Sequence, residues 1–308
     1  MRLGALRRRL ACALLLAASA GVSAGAGFTA LALPGEGGAL LQALERPARA
    51  ARERLRLIVL PGSGCAGMGA IADRYFAALL HARVLVLHKR GVRADATTAA
   101  HQCPPDFVQQ DAHPQWQADA LAAARHWLAQ RPGDAPLVLL GISEGAELLA
   151  PLAARLQPTA LVLVAGSGLD PVEAGRLQAQ RLGAADAWEA LARAQAGSRP
   201  DTEVVEGRSL RYWRALWHWP VQEPLLAGPW PLVQVWGERD ALVPQEAYER
   251  FRELAAARAA PYCAVMLPGA DHDLQSPGRD GLQWLWGRLE QWARAPAQPW
   301  CAVFRQIP

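Results

Sequence analysis

From residue 55 onwards, short apolar runs alternate with longer stretches whose apolar positions recur at helical spacing. LRLIVL (55–60), ARVLVLH (82–88), LVLL (137–140), TALVLVAG (159–166), PLVQVWG (231–237) and YCAVMLP (262–268) are rich in Val, Leu and Ile and too short for helices. They read as strands. Between and after them AIADRYFAALLH (70–81), WQADALAAARHWLAQ (116–130), residues 144–156, QEAYERFRELAAAR (245–258) and GLQWLWGRLEQWARA (281–295) read as helices. In the last, Trp284, Leu285, Leu289 and Trp292 fall on a stripe that predicts a face packed on the core. Strands apolar throughout, alternating with helices, predict an α/β fold: a mostly parallel central sheet with helices on both faces. Ligands in such sheets bind beyond the C-terminal ends of the strands.

Two stretches interrupt this rhythm. Residues 169–229 contain helix-like segments such as RSLRYWRALWHW but no strand of the series, and predict a helical lid inserted above the sheet. The stretch 25–54 shows little periodicity and reads as an N-terminal extension, its Arg46, Arg49 and Arg52, with Arg54 and Arg56 beyond, forming a solvated face. The core then comprises 55–168 and 230–308. A chain of 308 residues with this arrangement predicts one elaborated domain.

Composition alters the picture mainly at the N-terminus. The formal charge of +4 includes Arg2, Arg7, Arg8 and Arg9, which precede the apolar run LACALLLAASA (10–20). Basic residues, an apolar stretch and small residues near 18–24 predict a secretory signal over residues 1–24. Without those four arginines no net positive charge remains to attract nucleic acid. The alternative is an uncleaved membrane anchor, since no charge interrupts the chain between Arg9 and Glu36 and a span needs ~20 apolar residues. The expected location is secreted or periplasmic, and a stable membrane partner is expected only in the anchored case.

Beyond that segment lie Cys65, Cys103, Cys263 and Cys301. Four cysteines in an exported chain predict two disulfides, with three possible connectivities. Cys65 with Cys103 and Cys263 with Cys301 is preferred: the first pair lies in loops after strands, and the second ties the tail to the body. Buried free thiols are the alternative. No CxxC spacing suggests zinc, and no cofactor is expected.

The chemistry centres on GISEGAELL (141–149), where a strand, a tight turn and a helix follow one another. A serine at such a turn exposes its hydroxyl at the sheet edge, and a glycine on either side admits the close approach of strand and helix. A serine needs a base, and the base needs an orienting acid. Asp240 in WGERDALVP (236–244) and His272 in LPGADHDLQ (267–275) each follow their own strand, so all three open on one edge of a parallel sheet.

The order Ser143, Asp240, His272, with the single GxSxG of the chain, resembles the α/β-hydrolase superfamily over about residues 55–295. The resemblance implies a serine hydrolase or related acyl-transfer enzyme with Ser143 as nucleophile, His272 as base and Asp240 as orienting acid. It also implies an oxyanion hole from the Glu144 N–H and a donor in the loop LPGSGCAG, by position Ser63, with Gly64 next. This loop carries Pro61-Gly62 where many relatives carry His-Gly. Asp170, after the preceding strand, is the rival acid, and Asp240 could instead cap a helix. The Glu144 side chain is read either as a charge at the site mouth or as a solvated carboxylate at a helix start. His88, His101, His113 and His218 are read as surface or packing residues. Trp217-His218-Trp219 either line an apolar pocket or hold the lid to the body. The expected partner is a small-molecule acyl substrate, with carboxylic ester hydrolysis ahead of peptidase or acyltransferase chemistry, and a non-catalytic binding module behind these.

Overall fold

A computed structural model describes residues 27–305; the signal reading of residues 1–24 lies outside the described residues. In chain order the main elements are β1 (Thr29–Pro34), β2 (Leu40–Arg46), β3 (Leu55–Leu60), α1 (Ala72–Tyr75), β4 (Ala82–Leu87), α2 (Pro105–Gln110), α3 (His113–Gln130), β5 (Leu137–Ile142), α4 (Leu149–Leu156) and β6 (Ala160–Val164). There follow α5 (Pro171–Arg181), α6 (Ala185–Ala196), the hairpin β7 (Val204–Val205) and β8 (Arg208–Ser209), α7 (Leu210–Trp217) and α8 (Gln222–Ala227). The sheet is completed by β9 (Leu232–Gly237) and β10 (Tyr262–Leu267), with α9 (Gln245–Ala255) between them and α10 (Gly281–Arg294) after.

The main sheet runs β1-β2-β4-β3-β5-β6-β9-β10. All pairings from β4 through to β10 are parallel, whereas β1–β2 and β2–β4 are antiparallel. Successive residues of β3 face opposite layers. Leu57 and Val59 pack with Phe76, Leu285, Trp286 and Leu289 on one side, while Ile58 and Leu60 pack with Trp116, Trp127 and Leu149 on the other. This two-sided burial is why the strands are apolar at every position rather than at alternate ones. Truncating a fully buried leucine such as Leu285 or Leu289 in such a layer costs about 2–5 kcal/mol.

Several expectations are corrected. The stretch 25–54 is not patternless: β1 and β2 extend the sheet by two antiparallel strands. Arg46 is not part of a solvated face; it is fully buried, donating from Nη1 to the Phe76 carbonyl at 3.0 Å and from Nη2 to that of Leu79 at 2.5 Å. Those carbonyls belong to the predicted helix 70–81, of which only the single turn α1 is regular, and Arg46 supplies donors to oxygens at the end of that stretch that lack a full set of helical partners. In α10 the stripe also includes Trp286, fully buried with its Nε1 donating to the Tyr75 carbonyl, beside the half-buried Trp284, which packs against the same core.

Disulfides join Cys65 to Cys103 and Cys263 to Cys301, with Cα separations of 5.6 and 5.5 Å. Among the described residues no helix is long and apolar enough to cross a membrane. Residues 169–229 contribute α5 to α8 and the β7–β8 hairpin.

Candidate active site

Strand β5 ends at Ile142, and the chain turns at once through a 3-10 segment, Ser143–Leu148, into α4. Ser143 stands at the turn with φ of +52°, in the left-handed region that costs a residue bearing a Cβ about 1–3 kcal/mol. Gly141 and Gly145 make the turn possible. A Cβ at Gly141 would overlap the backbone of Gly145 and Ala146, and one at Gly145 would overlap the carbonyls of Leu60 and Pro61.

The loops after β9 and β10 bring Asp240 and His272 together. His272 Nδ1 lies 2.8 Å from Asp240 Oδ2, and Asp240 is buried. The same Oδ2 accepts from the Tyr248 hydroxyl at 2.7 Å, while Oδ1 accepts from the N–H groups of Leu242 and Val243 at 2.8 and 2.9 Å. Asp240 thus orders the turn before α9 with one oxygen and meets the imidazole with the other. Burial opposes its charge, but the hydrogen bonds from His272, Tyr248 and Val243 prevail and hold the carboxyl below its ordinary range. Among the described residues no hydrogen bond joins Ser143 Oγ to the imidazole. Tyr248 escaped the sequence reading: in the pattern of α9 it looks like any other core-facing residue of that helix, beside Ala247 and Phe251.

Asp170 has other work. Its Oδ1 accepts from the N–H groups of Val221 and Gln222 at 2.7 and 2.9 Å, fastening the start of α8 to the end of the β6 loop. The loop after β3 passes directly against the elbow: a Cβ at Gly62 would lie 3.3 Å from Ser143 Cβ. Ser63, the next residue, is exposed, and among the described residues its N–H meets no backbone acceptor. Gly64, with φ of +93°, turns this loop towards the Cys65–Cys103 disulfide.

The Glu144 carboxylate is neither at an open mouth nor solvated. It is buried, with Lys89 Nζ 2.9 Å from Oε2 and the Tyr212 hydroxyl 2.7 Å from Oε1. Burial would raise its pKa, yet Lys89, His113 and Arg208 together bring it down to about 2. His113 is buried against Glu147, with Nε2 2.6 Å from Oε2, and His88 is buried with Nε2 accepting from the Met68 N–H. His101 and His218 are exposed. Trp217 stacks on Trp188 at 5.0 Å, and Trp219 Nε1 donates to the Glu147 carbonyl, so this pair holds the insertion together and to the body.

A cavity of about 320 Å³ opens beside Ser143. Ser63 and Glu144 contribute from the core, and Glu206, Arg208, Tyr212 and Trp213 contribute from the insertion. Ala146, Ala165, Ala174, Val221 and Val243 add apolar lining beside these polar groups.

No family model and no curated protein matches this sequence. Solved structures do. An α/β serine hydrolase without a lid from Xanthomonas campestris is similar over 88% of this chain and 97% of its own, at 21% identity and a TM-score of 0.50. Est1E from Butyrivibrio proteoclasticus, solved with ferulic acid bound, is similar over 86% and 99%, at 16% identity and a TM-score of 0.60. A puromycin-hydrolysing peptidase from Mycobacterium tuberculosis is similar over 93% of this chain but 43% of its own, at 17% identity and a TM-score of 0.58. At such identities the likeness is one of architecture. The chain has the α/β-hydrolase fold.

Proposed function

We propose that this protein is a serine hydrolase that cleaves a carboxylic ester, or a closely related acyl bond, through a covalent acyl-enzyme. Ser143 Oγ attacks the carbonyl carbon while His272 Nε2 takes its proton. Asp240, hydrogen-bonded to Nδ1, holds the tautomer that leaves Nε2 free to act as base. The developing oxyanion is met by the N–H groups of Glu144 and Ser63, and one such donor is worth roughly 3 kcal/mol of barrier. His272 then returns the proton to the leaving alkoxide, and water resolves the acyl-serine by the same route. The Ser143–His272 hydrogen bond forms as substrate enters, as is common for catalytic contacts that are long in the free enzyme.

The observation that carries this reading is the 2.8 Å contact of His272 Nδ1 with Asp240 Oδ2, on the sheet edge where Ser143 sits at a strained turn. Esters lead because an alkoxide departs with less help from the acid than an amine does. A peptidase acting at a free amino terminus is the second reading, favoured by Glu206, which lines the cavity and whose carboxylate would suit an ammonium group. Two disulfides support a secreted or periplasmic location.

The test is a fluorophosphonate probe with p-nitrophenyl esters and aminoacyl anilides as substrates. Ser143 takes the label, Ser143→Ala does not while still folding, and esters turn over faster than anilides. A wild-type protein that neither labels nor hydrolyses either set removes the proposal.

A further inference from the structure

The charged groups that this chemistry does not use are gathered behind the nucleophile. Glu144 offers its backbone N–H to the oxyanion, and its carboxylate is fully engaged by Lys89 and Tyr212, as described above. Lys89 follows β4 and is shared: Nζ also lies 2.9 Å from Asp111 Oδ1 and 4.1 Å above the Trp116 ring. Asp111 Oδ2 in turn accepts from Arg208 Nη1 at 2.5 Å. Lys89, Asp111, Glu144 and Tyr212 are each less than a tenth exposed. The residue after the nucleophile is therefore tied on one side to the core, through Lys89, and on the other to the insertion, through Tyr212 of α7.

A buried ionic cluster of this kind is a poor source of stability, because apolar side chains of equal volume would fill the space as well or better. Its use is geometric. Ser143 is held at φ of +52°, a conformation that persists only where its surroundings over-determine it. The next residue must then keep its N–H aimed at one point. A carboxylate clamped on both oxygens leaves the Glu144 side chain one position, and so restrains the backbone that carries the N–H.

We infer that Lys89 and Tyr212 are positioning residues: through the Glu144 carboxylate they fix the oxyanion-binding N–H, and in doing so they dock the insertion as a fixed roof over the cavity. This rests on Ser143 being the nucleophile. Swinging the insertion away would break Tyr212–Glu144 and Arg208–Asp111 and strip two buried carboxylates of partners. It would also break the hydrogen bond from Trp219 Nε1 to the Glu147 carbonyl. Substrate accordingly enters beneath the roof, and the oxyanion-binding N–H of Glu144 is in place before it arrives.

Tyr212→Phe removes only the hydroxyl and keeps the ring, and Lys89→Gln keeps donors but removes the charge. Both are compared with wild type by p-nitrophenyl butyrate kinetics, normalised to the sites a fluorophosphonate labels, and by hydrogen exchange of α7. The expected result for Tyr212→Phe is a kcat reduced on the order of tenfold to a hundredfold with KM nearly unchanged, since small displacements of a catalytic donor cost that much. Lys89→Gln is expected to lose at least as much, and α7 amides in the wild type to exchange slowly. Wild-type kcat per labelled site in Tyr212→Phe, even with a lowered Tm, overturns the positioning role while leaving the hydrolase reading intact. Rapid exchange throughout α7 in the wild type overturns the fixed roof. A wild type without labelling or turnover removes both.

Discussion

The Tyr248 hydroxyl lies 2.7 Å from Asp240 Oδ2, the oxygen that His272 Nδ1 approaches at 2.8 Å. One oxygen therefore serves a fixed donor from α9 and the imidazole from the loop after β10, and the tyrosine fixes where the histidine must come. Because the folded pKa of Asp240 is depressed, its contribution to stability is present above the unfolded value and is lost as pH falls through the folded one. Tyr248→Phe removes one of the bonds that depress it. Acid unfolding followed by circular dichroism should move to higher pH in that variant. At neutral pH the loss should be about 1.5–3 kcal/mol, the worth of a hydrogen bond to a charged group.

Asp240→Asn should lower kcat on the order of 10⁴, because the amide favours the wrong imidazole tautomer. Asp170→Asn should leave kcat close to wild type, since an amide oxygen can still accept from Val221 and Gln222. Steady-state kinetics on a p-nitrophenyl ester compare the two. A collapse of activity in Asp170→Asn with little change in Asp240→Asn would reverse the assignment.

The strained turn makes a prediction about stability. Glycine adopts φ of +52° without the steric penalty that a Cβ incurs, so Ser143→Gly should be more stable than Ser143→Ala, by about 1 kcal/mol after allowing for glycine's greater chain entropy. Urea titrations of the two inactive proteins measure it. Equal midpoints would mean that the elbow stores no strain.

The two disulfides should separate by function. Each links cysteines 38 residues apart, for which the chain-entropy model gives about 4 kcal/mol. Cys263→Ser should lower stability by up to that amount without changing kcat per labelled site. Cys103→Ser should lower both, because Cys65 lies two residues beyond Ser63 and ties down its loop. Denaturant curves and active-site-normalised turnover distinguish the outcomes.

What could be read in advance follows the range of the interactions. The strands from β3 to β10 were visible because burial on both faces demands continuous apolar runs. The meeting of Asp240 with His272 on the sheet edge that carries Ser143 was visible because each of the three sits directly after such a run. β1 and β2 were not: TALALP alternates alanine with leucine, which offers no contrast of polarity, and in β2 Leu40 is exposed while Glu45 and Arg46 are buried. The helix expected over 70–81 has the right periodicity, but the loop closed by Gly67 and Gly69 onto Ala96 and Ala94 and the buried Arg46 hold that stretch in turns.

The amino-acid order alone determined the alternation of strand and helix, and hence which loops share an edge of the sheet, because local patterning encodes which face of each element must leave water. It could not state that Glu144 would be buried between Lys89 and Tyr212, that Tyr248 would stand behind Asp240, or that the insertion would be bolted down by charge. Those contacts join residues 55, 68 and 8 positions apart in Lys89–Glu144, Glu144–Tyr212 and Asp240–Tyr248. Only the assembled packing fixes their partners, since a carboxylate in a sequence carries no mark of the cation or hydroxyl that will share its cavity.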